Sequence, residues 1–147
     1  MKNVDLSTTV GMILHWRKSF DLPTPDTLEY LSQEKLNNAF RLIEEEYTEL
    51  KHDIDFGTRA QIVEESIDLI WVVLQLLFEM GVDVDEATRL KYEANMSKMI
   101  PTTNENELKP NQYYEVLTNG MIVIKHSITG KIQKPSNYKK ADFSKFD

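Results

Sequence analysis

Two short acidic pairs carry the chemistry this sequence offers. The first is Glu46-Tyr-Thr-Glu49, inside the run Leu42-Ile-Glu44-Glu45-Glu46-Tyr-Thr-Glu49-Leu50. The second is Glu65-Ser-Ile-Asp68, which opens a strongly apolar stretch. In each pair the carboxylates stand three residues apart, so on a helix each pair projects from one side. A glutamate run on one helix is ordinarily a solvated face, and Glu44-Glu45-Glu46 alone says no more than that. Asp68 is harder to explain, because an unpaired carboxylate buried in such an apolar run costs several kcal/mol or stays protonated. A divalent cation removes that problem. If the two helices pack as an antiparallel hairpin, four acidic groups converge, and hard oxygen ligands of that kind suit magnesium or manganese.

A di-iron carboxylate bundle is the natural competitor, since Glu49 to His52 makes one Glu-x-x-His step. That architecture needs a second such step and further bridging glutamates. The second helix pair offers aspartate where the histidine should be, and this reading is set aside.

A complement to the acids lies further on. Lys91, Asn95 and Lys98 follow at four- and three-residue steps and share a helix face. Two ammonium groups with an amide between them can cradle phosphate oxygens. Exposed lysines on a helix are commonplace, so the set gains meaning only beside a metal site. For base recognition His15, Trp16, Trp71 and Tyr138 are the candidates, with Tyr113 from the tail. A tryptophan in a helical stripe is more often core than ligand-binding.

The elements that must position these groups read clearly. A first helix is predicted from Thr8 to Phe20, with Ser7 or Thr8 as its cap and Val10, Ile13, Leu14 and Arg17 along its length. Leu22-Pro-Thr-Pro-Asp26 breaks it. A second runs from about Leu31 or Ser32 to Asp53, with Leu36, Ala39, Phe40, Ile43, Tyr47 and Leu50 as its apolar stripe. Asp55-Phe56-Gly57 reads as a turn, and Thr58 as the cap of a third helix that ends at Gly81. Ten of the twelve residues from Ile67 to Phe78 are apolar, so this helix is a central core element or part of a subunit interface. A fourth starts near Asp83 or Asp85 and stops at about Met99, before Pro101.

After the polar linker 102–111 the pattern changes. Residues 113–118 and 121–126 are rich in β-formers and flank Asn119-Gly120, a pair that favours a two-residue type I′ hairpin turn. Gly130 permits another reversal before Ile132. The tail from Lys134 onward is basic and reads as loop. The expected fold is all-α, a four-helix bundle over residues 1–100, with a small β-hairpin and tail over 101–147 belonging to the same domain.

Composition bounds the rest. At 147 residues the chain suits one domain with a real core. It has no cysteine, which excludes disulfides, thiolate zinc sites and cysteine nucleophiles. A net charge of −7 argues against coating nucleic acid. It suits a phosphorylated substrate held through divalent cations. The first residues lack the layout of a secretory signal, and the longest apolar stretch is interrupted by Asp68, Gln75 and Glu79 and is too short to span a bilayer. A cytoplasmic protein is expected.

Taken together, the residues resemble the all-α NTP pyrophosphohydrolase superfamily, which includes MazG-type enzymes, dimeric dUTPases, dCTP pyrophosphatases and phosphoribosyl-ATP pyrophosphohydrolases. The resemblance lies in Glu46-x-x-Glu49, a spacer, and Glu65-x-x-Asp68. Arg41-Leu-Ile, Lys91-x-x-x-Asn95 with Ser97-Lys98, and Gly130-Lys131-Ile-x-Lys134-Pro-x-x-Tyr138 also match. It extends from about His15 to Tyr138. The segment from Tyr113 to Ser127 is an addition to the minimal pattern.

The resemblance implies a MazG-like bundle that hydrolyses a nucleoside triphosphate between its α and β phosphates, releasing a monophosphate and pyrophosphate. It implies that Glu46, Glu49, Glu65 and Asp68 bind magnesium, with manganese as an alternative. Glu49, with Glu46, is then the catalytic pair, and Glu49 orients or deprotonates the attacking water. Lys91, Asn95 and Lys98 contact the phosphate chain. A homodimer or homotetramer is implied, without nucleic-acid or membrane partners. A nucleotide-pool housecleaning role is the preferred reading. The alternatives are a phosphoribosyl-ATP pyrophosphohydrolase and a non-catalytic nucleotide-binding helical oligomer.

Overall fold

A computed structural model describes residues 4–103 and 106–147. Four helices come first: α1 (Thr9–Ser19), α2 (Gln33–Phe56), α3 (Arg59–Glu79) and α4 (Val84–Met96). An antiparallel hairpin of β1 (Gln112–Val116) and β2 (Ile122–His126) follows, then a 3₁₀ turn over Ser144–Phe146. The architecture is the expected one, mostly helical with a small C-terminal hairpin. The chain groups into two compact units, centred on Met1–Asp85 and on Glu86–Lys145.

In the first unit the caps fix where the helices begin. The Thr8 hydroxyl accepts from the Gly11 amide at 3.0 Å, and the Ser32 hydroxyl accepts from the Lys35 amide. Thr58 forms a full capping box: its hydroxyl accepts from the Gln61 amide while the Gln61 side chain accepts from the Thr58 amide. Such caps contribute about 1 kcal/mol each. α2 runs on to Phe56, so Asp55 and Phe56 are helical and only Gly57 and Thr58 turn the chain. The helix outlasts its expected end at Asp53, because Asp55 and Phe56 both tolerate helical geometry and Gly57 alone breaks the pattern.

α3 packs against both α1 and α2. The core joins Ile13 of α1, Phe78 of α3 and Val84, with Val10, Leu14, Trp71, Leu74 and Leu77 packed against it. Gly81 closes α3 at φ +68°, and a Cβ there would lie 2.0 Å from the Thr27 carbonyl oxygen. Only glycine fits that approach. It lets the segment from Thr27 to Glu29 pass close to the helix end, where the Glu29 amide donates to the Met80 carbonyl at 3.0 Å.

The apolar faces of α2 and α3 are only partly used. Phe40, Tyr47 and Ile54 of α2 and Val63, Ile67 and Ile70 of α3 are exposed, and of the α3 residues only Phe78 is buried.

In the second unit Val123, Ile124 and Ile100 are buried, and Ile100 and Ile122 exchange backbone hydrogen bonds of 2.8 and 2.9 Å. The hairpin turn differs from the type I′ expectation. Leu117 accepts from the Gly120 amide and donates to Met121, Gly120 sits at φ +81°, and Asn119 is not at positive φ. That is a three-residue loop, a type I turn closed by a left-handed glycine, and not the two-residue turn that needs positive φ at both central positions. Asn119 contributes otherwise: its side-chain oxygen accepts from the Met121 amide at 2.9 Å. Gly130 makes the second reversal at φ +68°, and Ile132 then bridges back to Lys125. Of the expected linker 102–111, residues 104 and 105 lie outside the described residues.

Candidate active site

α2 and α3, joined through Gly57 and Thr58, bring their acidic faces together. One carboxylate oxygen each from Glu46, Glu49 and Glu65 lies within 4.8 Å of the other two. Glu49 is exposed, while Glu46 and Glu65 are partly covered. Asp68, one helical turn beyond Glu65, completes the local field, since its charge acts on both Glu46 and Glu65.

The electrostatics are those of crowded like charges. Burial, then Asp68, Glu49 and Glu45, raise the pKa of Glu46. Burial, then Glu49, Asp53 and Asp68, raise that of Glu65, which also shares a hydrogen bond with Glu49. Glu65 Oε2 is buried and has no hydrogen-bond partner. Among the described residues no lysine or arginine forms an ion pair with Glu46, Glu49, Glu65 or Asp68. A set of converging carboxylates with an orphaned oxygen and no protein cation fits a hard divalent ion, whose charge reverses the mutual repulsion.

Two points depart from the sequence reading. Asp68 is exposed in the single chain, so the burial penalty that makes it stand out in the sequence does not arise. The apolar neighbours Ile67 and Ile70 are exposed with it. Asp53, by contrast, is not among the sequence candidates. It is 7 % exposed, acts on Glu65, and holds the His52 Nδ1 at 3.0 Å. The steps Glu46, Glu49, Asp53 put it on the same helix face, a signal available in the spacing. His52 itself is exposed and its ring packs on Phe56, outside the carboxylate group.

The base-recognition candidates separate. Trp16 meets Trp71 edge-to-face at 5.5 Å and Phe20 at 5.1 Å, and Trp71 packs on the core. Both tryptophans thus have packing roles. His15 is exposed on α1. In the second unit, Tyr138 lies under the Lys134 ammonium, 5.1 Å from its ring centre.

Arg17 is a further polar group that the sequence pattern places only among apolar residues. It is 4 % exposed, donates to Gln75 Oε1 at 3.1 Å and the Pro23 carbonyl at 2.7 Å, and leaves its Nε unpartnered. It lines a cavity of about 250 Å³ with the Lys35–Glu79 ion pair.

Of the expected phosphate contacts, Lys91 and Lys98 line one cavity of the second unit, of about 880 Å³. Asn95 is exposed on α4, and its carbonyl accepts from the Lys98 amide. No helix among the described residues is long and apolar enough to cross a membrane.

Residues 16–92 match the family model for phosphoribosyl-ATP pyrophosphohydrolase. That span takes in α2, α3 and all four carboxylates, and it ends before the hairpin. No curated protein matches the chain.

Proposed function

We infer that this chain, which belongs to the phosphoribosyl-ATP pyrophosphohydrolase family within the MazG-like superfamily, is a magnesium-dependent nucleoside triphosphate pyrophosphohydrolase. Water adds at the α-phosphorus, the bond to the bridging oxygen of the β-phosphate breaks, and a nucleoside monophosphate and pyrophosphate leave. The observation that carries this reading is the mutual approach of Glu46, Glu49 and Glu65 within 4.8 Å across two helices.

Glu46, Glu49, Glu65 and Asp68 would hold the magnesium, or manganese in its place. When bound, the ion would polarise phosphoryl oxygens and offset the charge of the leaving pyrophosphate. Glu49, solvent-exposed like Asp68 but within the close group of Glu46 and Glu65, orients the attacking water and takes its proton. Glu46 and Glu65, partly covered, keep the carboxylate set in place. Asp53 adds a negative charge that acts on Glu65. Lys91, Asn95 and Lys98 meet the phosphate oxygens.

A second copy of the chain is expected to cover the apolar faces of α2 and α3, giving a homodimer or a dimer of dimers in the cytoplasm. Phe40, Tyr47, Ile54, Ile67 and Ile70 are exposed on those faces, and contiguous apolar surface of that kind ordinarily marks an interface.

The family description favours a second reading, phosphoribosyl-ATP as the substrate. A panel of canonical and modified nucleoside triphosphates together with phosphoribosyl-ATP, assayed for pyrophosphate with magnesium and with chelator, separates the two. Turnover of several triphosphates supports the housecleaning reading, and turnover of phosphoribosyl-ATP alone replaces it. Absence of pyrophosphate from every compound, with the protein folded, contradicts the enzymatic reading and leaves a nucleotide-binding oligomer.

A further inference from the structure

The second unit carries an excess of positive charge in one place. Lys91, Lys98, Lys109, Lys131 and Lys134 all line a single cavity of about 880 Å³, and among the described lining residues Glu107 is the one carboxylate. The whole chain has a net charge of −7, so this is not the background composition. Three other cations of the same unit are neutralised, Arg89 by Glu86 and Glu93, Lys125 by Glu115 at 2.8 Å and Lys145 by Glu86, while Lys139 and Lys140 lie outside the cavity lining. Among the described residues none of the five cavity lysines has an ion-pair partner. Lys134 rests on the Tyr138 ring instead.

The frame around these lysines is fixed by the hairpin. Gln112 of β1 donates to Gln133, whose amide donates to the Ile124 carbonyl of β2 at 2.7 Å. Asn106 Oδ1 accepts from the Ser136 amide and hydroxyl at 2.8 and 2.9 Å. The amide side chains are thus occupied in holding the walls, and the ammonium groups remain for a ligand. Like charges gathered on a preset frame are unfavourable until an anion enters. A singly charged carboxylate leaves most of that repulsion standing. A chain of linked phosphates, carrying three or four charges in roughly that count, removes it. The volume lies within the roughly 300–1,000 Å³ of small-molecule sites.

We propose that the hairpin unit is an oligophosphate-binding module in which Lys109, Lys131 and Lys134 join Lys91 and Lys98, and that it binds linked phosphates without a metal ion. The choice of anion rests on the pyrophosphohydrolase reading, but the binding does not depend on turnover. The segment from Tyr113 to Ser127 then anchors the walls that hold the lysines.

Titration calorimetry of the full chain in chelator, with inorganic tripolyphosphate as the probe, tests this. Saturable binding is expected that weakens as salt rises. The double variant Lys131→Gln/Lys134→Gln should weaken it by roughly 10- to 100-fold. Lys18→Gln, on α1 and outside the cavity lining, should leave it unchanged. Lys109→Gln gives a second reading should the double variant lose its circular dichroism spectrum. Pyrophosphate and a non-hydrolysable nucleoside triphosphate, run alongside, show whether product or substrate fits better; either order supports the module. No binding in chelator, or equal binding by folded Lys131→Gln/Lys134→Gln and wild type, overturns it. Because no hydrolysis is measured, failure here leaves the enzymatic reading standing, and failure of turnover leaves this one standing.

Discussion

Glu49 on α2 and Glu65 on α3, on consecutive helices, bring carboxylate oxygens within 4.8 Å of each other, and among the described residues neither has a cationic partner. Two acids at that separation repel, and the helix hairpin holds them there regardless. In chelator, Glu65→Gln should therefore raise the melting temperature over wild type, by relieving like-charge repulsion. Magnesium should stabilise wild type, as a ligand that binds only the folded state does. The variant should lose most of that response. Thermal melts with and without magnesium check both, and equal metal responses in the two proteins contradict the site.

Gly81 is the sharpest test of the fold around α3. Gly81→Ala must place a methyl where the Thr27 carbonyl stands, at a φ of +68°. A loss of about 2–4 kcal/mol in unfolding free energy is expected, from left-handed strain and a backbone clash together. Denaturant titration measures it, and a change under about 0.5 kcal/mol would show that the turn is built differently.

Acid stability gives a third test. Arg89, then Lys145, hold the Glu86 carboxyl down to about 2, below its unfolded value. A depressed carboxylate stabilises the fold above the unfolded pKa, and that contribution disappears as pH falls from about 4.5 through about 2. Glu86 is exposed to solvent screening, so the effect is small. Glu86→Gln should melt slightly below wild type at pH 7, and the two curves should converge below about pH 2. A gap that persists there assigns the difference to packing instead.

The exposed apolar faces predict assembly. Wild type should run as a dimer or larger by light scattering. Ile67→Asp with Ile70→Asp should shift it toward monomer and lower its melting temperature, since both residues are exposed in the single chain. A wild-type monomer at micromolar concentration rules out the second copy.

Much of this is legible in the sequence, for physical reasons that differ by element. The helix starts at Thr8, Ser32 and Thr58 are readable because a hydroxyl cap is a local device. The carboxylate pairs are readable because a three-residue step fixes a shared helix face. Asp53 escapes notice because it lies outside both Glu-x-x-acid patterns, and its burial comes from packing that no local pattern encodes. The hairpin turn misleads because Asn-Gly serves both two- and three-residue loops, and the choice depends on whether Asn119 adopts positive φ. Asp68 stands out in the sequence for a burial that the chain alone does not impose. The gathering of Lys109, Lys131 and Lys134 into one cavity with Lys91 and Lys98 is invisible there, because the hairpin brings together residues far apart in sequence.

If these carboxylates serve a magnesium-dependent cleavage between the α and β phosphates of a nucleotide, the products must show it. Phosphorus NMR of the products, for wild type and Glu49→Gln with magnesium, tests this most directly. Nucleoside monophosphate and pyrophosphate are predicted from wild type, with a drop of at least about 100-fold in the variant. Inorganic phosphate as the released group, or full activity in a folded Glu49→Gln, would contradict it.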